Sequence, residues 1–439
     1  MESGKHKSYV LPIAMMFALF AMISFVTGLT NPLGVIIKNQ FGVPNWMSQL
    51  GNAANFIAYA FMGLPAGMLL KRIGYKKTAL AAIAVGIVGV GTQFFSGIVP
   101  ENMAFAIYLT GAFIAGFSMC MLNTVVNPML NTLGGGGKRG NQLIQFGGSL
   151  NSISATIVPV FVGYLMGNVA TATINKANPA LFIAIGIFAL AFVVLFFMEI
   201  PEPAQEIEAK KKPGEKDPYS ALSFRHFILG AIAIFLYVGV EVGIPNFVNL
   251  FLSTPVNPTD GAAVPGLGYE AALAGSICGT YWFLMLIGRL VGGFLGGRFS
   301  SKAMLTFVSS LGLIFVLLAI CLPTSIKVDM PVFQSDISFG LAEVPIGIMF
   351  LILCGLCTSV MWGGIFNLAV EGLGKYTAMA SGIFMMLVCG GGILPLIQGG
   401  VADLFGYMAS YWVVFAALIY MLFYAVIGCK NVNKDIPVD

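Results

Sequence analysis

Charged residues are scarce in this sequence. Only 9% of the 439 residues are Asp, Glu, Lys or Arg, whereas 58% are hydrophobic. Soluble globular domains carry roughly 25% charged residues, so this chain has too little polar surface for a water-soluble fold. The composition therefore excludes an ordinary soluble protein.

Side chains for metal binding or acid–base catalysis are also few. The two histidines, His6 and His226, lie close to polar stretches, and no acid pair or nucleophile with a base occurs in the apolar ones. All seven cysteines lie in apolar stretches, and the C-x-x-C pair of Cys354 and Cys357 has no second pair to complete a metal site. We predict no enzyme activity, no metal site and no cofactor, and consider Na⁺ only as a coupling ion.

Long apolar stretches dominate the chain, and each is close to the roughly 20 residues that cross a bilayer. They cover residues 10–37, 47–70, 78–99, 104–133, 141–169, 179–199, 225–253, 270–297, 303–324, 344–371, 376–401 and 409–429. The first is too long for the apolar region of a signal peptide and is interpreted as a retained span. We predict an all-α integral membrane protein with twelve transmembrane helices.

The basic residues are distributed unevenly between the loops. If the N-terminus is cytoplasmic, eighteen of the 22 Lys and Arg lie on the cytoplasmic side; the outer side holds Lys38, Lys176 and Lys327, and Arg289 lies within a span. Lys and Arg favour cytoplasmic loops. We therefore predict that both termini are cytoplasmic, in a bacterial cytoplasmic (inner) membrane, and that the protein is a monomer with no nucleic-acid partner.

The longest polar stretch falls near the middle of the chain and separates six spans from six. We predict an N-terminal six-helix bundle (1–199), a cytoplasmic linker (200–224) and a C-terminal six-helix bundle (225–439). The halves share a pattern, because Asn127 on span 4 recurs as Asn367 on span 10, an offset of 240 that neighbouring matches share. This repeat predicts two pseudo-symmetric bundles, as in transporters whose halves rock about a central site.

The loop after span 2 reads Gly67-Met-Leu-Leu-Lys71-Arg72-Ile-Gly74-Tyr-Lys76-Lys77. It resembles the cytoplasmic loop motif G-x3-D-R-x-G-x-K-K of the major facilitator superfamily. The resemblance implies a gating loop in which Gly67, Arg72, Gly74 and Lys76 take part. Lys71 stands where most members have an aspartate, which removes the salt bridge expected of that motif.

Further motifs resemble the bacterial fucose/glucose–galactose permease family. They are Pro65-Ala66-Gly67, Asn127-Pro128, Asn151-Ser152, Tyr237-Val238-Gly239, Gly288-Arg289 and Gly390-Gly391-Gly392. The resemblance covers nearly the whole membrane region and implies import of free monosaccharides, coupled to protons in the fucose type and to sodium in some glucose/galactose-type members. Fucose-type members carry proton-binding acids where this chain has Asn31 and Asn123. An amide cannot titrate, so the proton mechanism of the fucose type does not carry over.

Amide side chains take the place of acids inside the first six spans. The set consists of Asn31, Asn52, Asn55, Asn123, Asn127, Gln145 and Asn151. A sugar hydroxyl both donates and accepts hydrogen bonds, and amides match it. We predict that these residues line a sugar cavity, except Asn127, which precedes Pro128 and can satisfy backbone groups that the proline frees. The alternative is hydrogen bonding between helices.

Glu241 lies in the middle of span 7. A carboxylate at that depth is costly and is expected to face a cavity or a cation. Glycines and Pro245 around it predict a broken helix whose free carbonyls help to bind an ion. We predict a cation-coupling site at Glu241, with Asn123 contributing, and sodium ahead of the proton. The alternative is a structural ion pair with Arg289.

The remaining predicted sugar ligands lie mostly in the second half: Tyr237 and Asn246 on span 7, Trp282 on span 8 and Trp362 on span 10. Aromatic faces cover the C–H surface of a sugar, although a tryptophan is often only an interfacial anchor. The predicted function is cation-coupled import of a monosaccharide such as glucose, galactose, mannose or fucose by alternating access. Rival functions are an uncoupled sugar facilitator, a sugar-binding membrane sensor, and a lipid or drug exporter.

Overall fold

A computed structural model of the chain describes residues 9–29, 50–166, 174–202, 218–256, 264–334 and 338–438. Its spans, numbered as in the sequence, are span 1 (Val10–Gly28), spans 2 and 3 (Leu50–Ser96), span 4 (Glu101–Leu133), span 5 (Gly137–Met166), span 6 (Asn178–Phe197), span 7 (Arg225–Ser253), span 8 (Ala271–Gly296), span 9 (Ser301–Cys321), span 10 (Ile346–Thr358 and Met361–Val370), span 11 (Thr377–Met386 and Gly390–Phe405) and span 12 (Tyr407–Phe423). Short 3₁₀ turns cover Ile174–Ala177, Ala221–Ser223, Gly374–Tyr376 and Leu387–Cys389, and a π-turn, Tyr424–Gly428, extends span 12.

The predicted count of twelve spans is confirmed within the described part of the chain. Ten helical stretches there are long and apolar enough to cross a membrane, and one of them, Ala53–Ser96, holds spans 2 and 3. Gly74, with φ 85°, separates those two spans. Span 5 (Gly137–Met166) completes the twelve. The boundaries of the two bundles and the linker stay predictions, and residues 203–217 of the linker lie outside the described residues.

The predicted break in span 7 is wrong. The helix runs without interruption from Arg225 to Ser253 with Pro245 inside it. Two neighbouring side chains donate hydrogen bonds to carbonyls at this turn: the Tyr411 hydroxyl to Ile244 O at 3.0 Å and Cys278 Sγ to Pro245 O at 3.3 Å. Pro245 removes only one helical hydrogen bond, the one to the carbonyl of Glu241 four residues earlier, and a membrane helix can continue through such a site.

Spans 10 and 11 are broken instead, and the sequence analysis predicted each as one helix. In span 10 the first helix ends at Thr358 and the second begins at Met361. The carbonyl of Val360 in this break accepts a hydrogen bond from Gln145 Nε2 at 2.9 Å. Span 11 is interrupted by the 3₁₀ turn Leu387–Cys389. Irregular backbone at membrane depth is tolerated where protein groups satisfy its hydrogen-bonding groups.

A β-hairpin between spans 9 and 10 was not predicted from the sequence. Strands β1 (Lys327–Phe333) and β2 (Phe339–Pro345) pair antiparallel, with Lys327 opposite Pro345. The hairpin packs on span 8, where the Phe333 N–H donates to Thr280 Oγ at 2.8 Å and the Phe333 ring stacks on Phe283 at 4.9 Å. The all-α prediction therefore holds for the spans but not for this loop.

The two halves of the chain meet at the end of the molecule that carries the loop Lys71–Lys77, Lys138 and Arg298, here called the basic end. Span 2 packs against span 11 and span 5 against span 8. Lys138 Nζ donates to the carbonyl of Arg298 at 2.8 Å. At Gly67 a Cβ would lie 2.9 Å from Gly382 Cα, so only glycine permits this approach of backbones. At Gly293 a Cβ would lie 2.7 Å from the Phe146 ring.

Candidate functional site

Glu241 and Arg289 form a buried ion pair between spans 7 and 8. Arg289 Nη2 lies 3.0 Å from Glu241 Oε1, and the two side chains are 8% (Arg289) and 14% (Glu241) exposed. Arg289 also donates to Gly148 O at 3.1 Å and Ser152 Oγ at 2.7 Å on span 5, and to Ser359 O at 3.4 Å in the break of span 10. Buried charges need such complete pairing, because removal of one partner costs about 3–5 kcal/mol. The guanidinium therefore joins the two halves.

A chain of amide and aromatic side chains crosses between the halves near this pair. Trp362 Nε1 on span 10 donates to Asn127 Oδ1 on span 4 at 3.1 Å. Asn127 Nδ2 donates to the Asn123 carbonyl oxygen at 2.9 Å, and Asn123 Nδ2 donates to the Tyr59 hydroxyl at 2.9 Å. The ring of Tyr237 lies 6.3 Å from that of Trp362, and its buried hydroxyl lies beside Glu241 and Arg289. We call Asn123, Asn127, Tyr237, Glu241, Arg289 and Trp362 the inter-half polar cluster.

The cluster brings together four of the predicted site residues: Asn123, Tyr237, Glu241 and Trp362. Glu241 is paired with Arg289, the partner that the sequence analysis named in its alternative. Buried aromatic faces and amides are the groups that could hold a hydrated polyol, and the charge pair is the group that could respond to a cation.

Three other predicted ligands do not join this cluster. Gln145 is buried, and its amide nitrogen is engaged with the carbonyl of Val360. The Asn151 amide oxygen accepts a hydrogen bond from the Ser24 hydroxyl. Trp282 is half-buried and packs edge-on against Tyr281 at 5.4 Å.

Four further predicted ligands remain. Asn55 is half-buried on span 2, and Asn246 is exposed on span 7. Asn52 lies on span 2, and Asn31 lies outside the described residues. Their roles as sugar ligands stay predictions.

The predicted gating loop is fixed by a carboxylate that sequence reasoning missed. Gly74 turns the chain between spans 2 and 3, and Glu202, just after span 6, accepts hydrogen bonds from the backbone N–H groups of Tyr75 (2.6 Å) and Lys76 (2.8 Å). Burial raises the pKa of the Glu202 carboxyl, while the two N–H donors and the neighbouring Lys76 and Lys77 oppose that shift. A carboxylate at a helix N-terminus complements the helix dipole. Arg72 is exposed.

Three contributions therefore escaped the sequence analysis. Asn127 was left out of the ligand set because it precedes proline, yet it bonds across the halves to Trp362. Arg289 was considered only as a partner of Glu241, although it also bonds to span 5. Glu202 lies in a polar stretch interpreted as linker, and no local signal connects it with Lys76, which is 126 residues earlier in the chain.

A cavity of about 200 Å³ lies elsewhere, between spans 8, 9 and 10. Its lining is apolar and consists of Gly288, Val291, Gly292, Leu295, Met304, Phe307, Val308, Leu356, Ser359 and Val360. None of the predicted sugar ligands lines it. Among the described residues, no three His, Cys, Asp or Glu side chains are grouped closely enough to hold a metal ion.

Known proteins of similar sequence align with almost the entire chain. The family model of the Major Facilitator Superfamily matches residues 15–395. A glucose/galactose transporter of Brucella abortus (biovar 1, strain 9-941) is 30% identical, over 98% of this chain and 97% of its own length. The L-fucose-proton symporter of Escherichia coli (strain K12) is 23% identical, over 97% of this chain and 93% of its own length.

Solved structures show the same fold. The crystal structure of the Major Facilitator Superfamily transporter FucP in the outward conformation superimposes with a TM-score of 0.76 at 20% identity, covering 95% of this chain and 99% of that one. The proton:xylose symporter XylE superimposes with a TM-score of 0.71 at 12% identity, covering 97% of this chain and 98% of that one. With twelve spans, this fold and a family match over most of its length, the chain belongs to the Major Facilitator Superfamily, a family of multi-pass membrane transporters rather than enzymes.

Proposed function

We propose that this protein imports a monosaccharide by alternating access and that Glu241 couples the import to a cation. The observation that carries the proposal is the inter-half polar cluster. Its amides and aromatic rings lie at the contact between the halves, and the membrane-buried acid Glu241 lies beside them. An intramembrane carboxylate is a functional-site hypothesis by default.

The sugar class is supported by the cluster and by the relatives. Asn123 and Asn127 offer amide groups, and Tyr237 and Trp362 offer rings, the combination that binds hydroxyls and covers C–H faces. The relatives named above are transporters of glucose/galactose and of L-fucose with protons. We expect a hexose or deoxyhexose.

The halves are closed at the basic end, and in an alternating-access transporter we infer from this a state open toward the opposite side. If the basic end is cytoplasmic, as the distribution of Lys and Arg predicts, this is the state that receives sugar from outside.

The identity of the coupling ion is a more specific proposal. The first six spans lack the acids of the fucose type, so the coupling function passes to Glu241, and sodium remains our first choice. The proton is the second choice, because a relative of this chain is a proton symporter.

An uncoupled sugar facilitator is the second candidate, and one observation favours it. Glu241 is already paired with Arg289 at 3.0 Å, so the carboxylate needs no cation to remain buried. A facilitator would use the pair only to hold spans 7 and 8 together.

Uptake into proteoliposomes separates these functions. We would measure uptake of a panel of labelled hexoses with sodium and proton gradients imposed separately, for the wild type, Glu241→Gln and the control Glu343→Gln, whose side chain is 63% exposed on the hairpin. We expect one gradient to drive accumulation in the wild type and the control, and Glu241→Gln to exchange sugar without accumulating it. Equal uptake with and without gradients would favour the facilitator. Gradient-driven accumulation by Glu241→Gln would refute the assignment of Glu241.

A further inference from the structure

Arg289 contacts both halves of the transporter with one planar group. In its own half it pairs with Glu241 through Nη2 and reaches the Ser359 carbonyl through Nε. In the other half Nη1 donates to Gly148 O and to Ser152 Oγ. Because the guanidinium is rigid and planar, these donors are held in fixed directions, which a lysine could not reproduce.

The backbones of two other spans lie close to this arginine. A Cβ at Gly148 would be at ordinary van der Waals distance from Arg289, 3.5 Å from Cδ and 3.6 Å from Nε, so the arginine lies beside the backbone of span 5. A Cβ at Gly288 would lie 2.2 Å from Ser359 Oγ, which shows how closely span 8 approaches the break of span 10. Arg289 is therefore placed by three spans at once.

The two bonds to span 5 join the halves in this structure, in which the basic end is closed. Span 5 and span 8 also meet where the Phe146 ring lies 5.4 Å from that of Phe294. If the halves separate there, Arg289 loses Gly148 O and Ser152 Oγ and keeps Glu241 and Ser359. Its charge then depends on the carboxylate more than before, because an unpaired buried charge is costly.

We propose that Arg289 is the positioning residue that links cation occupancy of Glu241 to closure of the halves at the basic end. This inference rests on the proposed function, in which Glu241 is the coupling carboxylate. With the halves closed, span 5 shares the guanidinium, and a cation can reside on Glu241. When the halves separate, Arg289 turns fully to Glu241 and displaces the cation. By linkage, the cation must then favour the closed state by the same factor.

The ionisable side chains near the pair matter if the cation is a proton. They are Tyr237 on span 7, Tyr281 on span 8 and Cys354 on span 10, beside Glu241 and Arg289 themselves. Arg289 is the cation among them, so it is the group that competes with a bound ion for the carboxylate.

The test measures closure directly, without sugar. Spin labels are placed at Arg139 and Phe299, which are exposed on opposite halves at the basic end, in a background where the incompletely buried cysteines Cys278, Cys321 and Cys389 are serine. Electron–electron resonance distances in lipid nanodiscs then give the closed fraction at varied sodium concentration and at varied pH.

Ser152→Ala is the test variant, and Ser149→Ala is its matched control. Ser149 lies on the same helix and is buried, and among the described residues it donates only to the Gln145 carbonyl of its own helix, at 3.0 Å. In the wild type and Ser149→Ala we expect the effective cation to raise the closed fraction. In Ser152→Ala we expect the factor by which the cation raises the closed-to-open ratio to fall by about ten-fold or more, the equivalent of one hydrogen bond to a charged group.

Two variants of the arginine complete the test. Arg289→Lys keeps the charge but not the planar fork, and we expect it to lose the shift as Ser152→Ala does. The neutral double variant Glu241→Gln/Arg289→Gln leaves no unpaired charge, so it is expected to fold and to close without cation dependence. A wild-type response in Ser152→Ala or in Arg289→Lys would overturn the inference.

The outcomes separate this inference from the proposed function. Wild-type uptake that follows neither gradient refutes cation coupling, and with it the role of Arg289 in that coupling. Gradient-driven uptake together with an unaltered response of Ser152→Ala refutes the role of Arg289 alone.

Discussion

Gly382→Ala should open the basic end, because the contact between spans 2 and 11 is made by backbone. A Cβ at Gly382 would lie 2.5 Å from Gly63 O and 2.6 Å from Gly67 Cα. These atoms belong to the main chain of another helix and cannot rotate away as a side chain can. The new methyl group therefore clashes only while the halves are closed.

The expected size of the effect follows from that overlap. Inserting a methyl group into a filled contact costs about 1–3 kcal/mol, which corresponds to a fall in the closed-to-open ratio of about 5- to 150-fold. Alanine also stabilises a helix by up to about 1 kcal/mol relative to glycine. That term is shared by Gly186→Ala on span 6, where a Cβ would meet nothing within 4 Å, so this variant is the control.

Distances between spin labels at Arg72 and Glu371 would measure the change, since both side chains are exposed at the basic end, on opposite halves. We expect Gly382→Ala to lengthen the dominant distance and Gly186→Ala to leave it unchanged. Both variants should unfold close to the wild-type temperature, because neither disturbs packing within a half. Identical distance distributions for the two variants would show that this glycine contact does not hold the basic end closed.

Two further substitutions test other contacts of the site. Glu202→Gln should lower the thermal unfolding temperature, because the amide can no longer accept both N–H bonds and an unsatisfied buried group costs about 1–3 kcal/mol. The control Glu199→Gln, at an exposed position, should leave that temperature unchanged. Equal melting curves for the two variants would contradict the role assigned to Glu202 in this loop. Trp362→Phe keeps the ring contacts but removes the hydrogen bond to Asn127, so it should weaken sugar binding measured by calorimetry. The control is Trp412→Phe on span 12, where the side chain is 47% exposed, and it should leave the affinity unchanged. An unchanged affinity of Trp362→Phe would remove Trp362 from the site.

The site was predictable in part, residue by residue. Glu241 and Trp362 stand out in the sequence because a charge or a large polar ring is rare inside an apolar stretch, and the structure places both in one cluster. Asn127 did not stand out, because its partner Trp362 is 235 residues away and a neighbouring proline offered a local explanation. Pro245 predicted a break that the helix does not have, because a proline removes only one helical hydrogen bond and the turns on either side keep theirs.

The sequence by itself determined the membrane class, the twelve spans and the family, because hydropathy, span length and loop motifs are properties of contiguous residues. Only the tertiary structure decided where the helices break and which side chains bridge the halves. Ser359 and Val360 carry no signal of a break, and their carbonyls are exposed to Arg289 and Gln145 only through packing of spans 5, 8 and 10. The scarcity of charged residues is likewise visible in the sequence. The contact of Arg289 with both Glu241 and the opposite half is not, because it depends on helices that are distant in the chain.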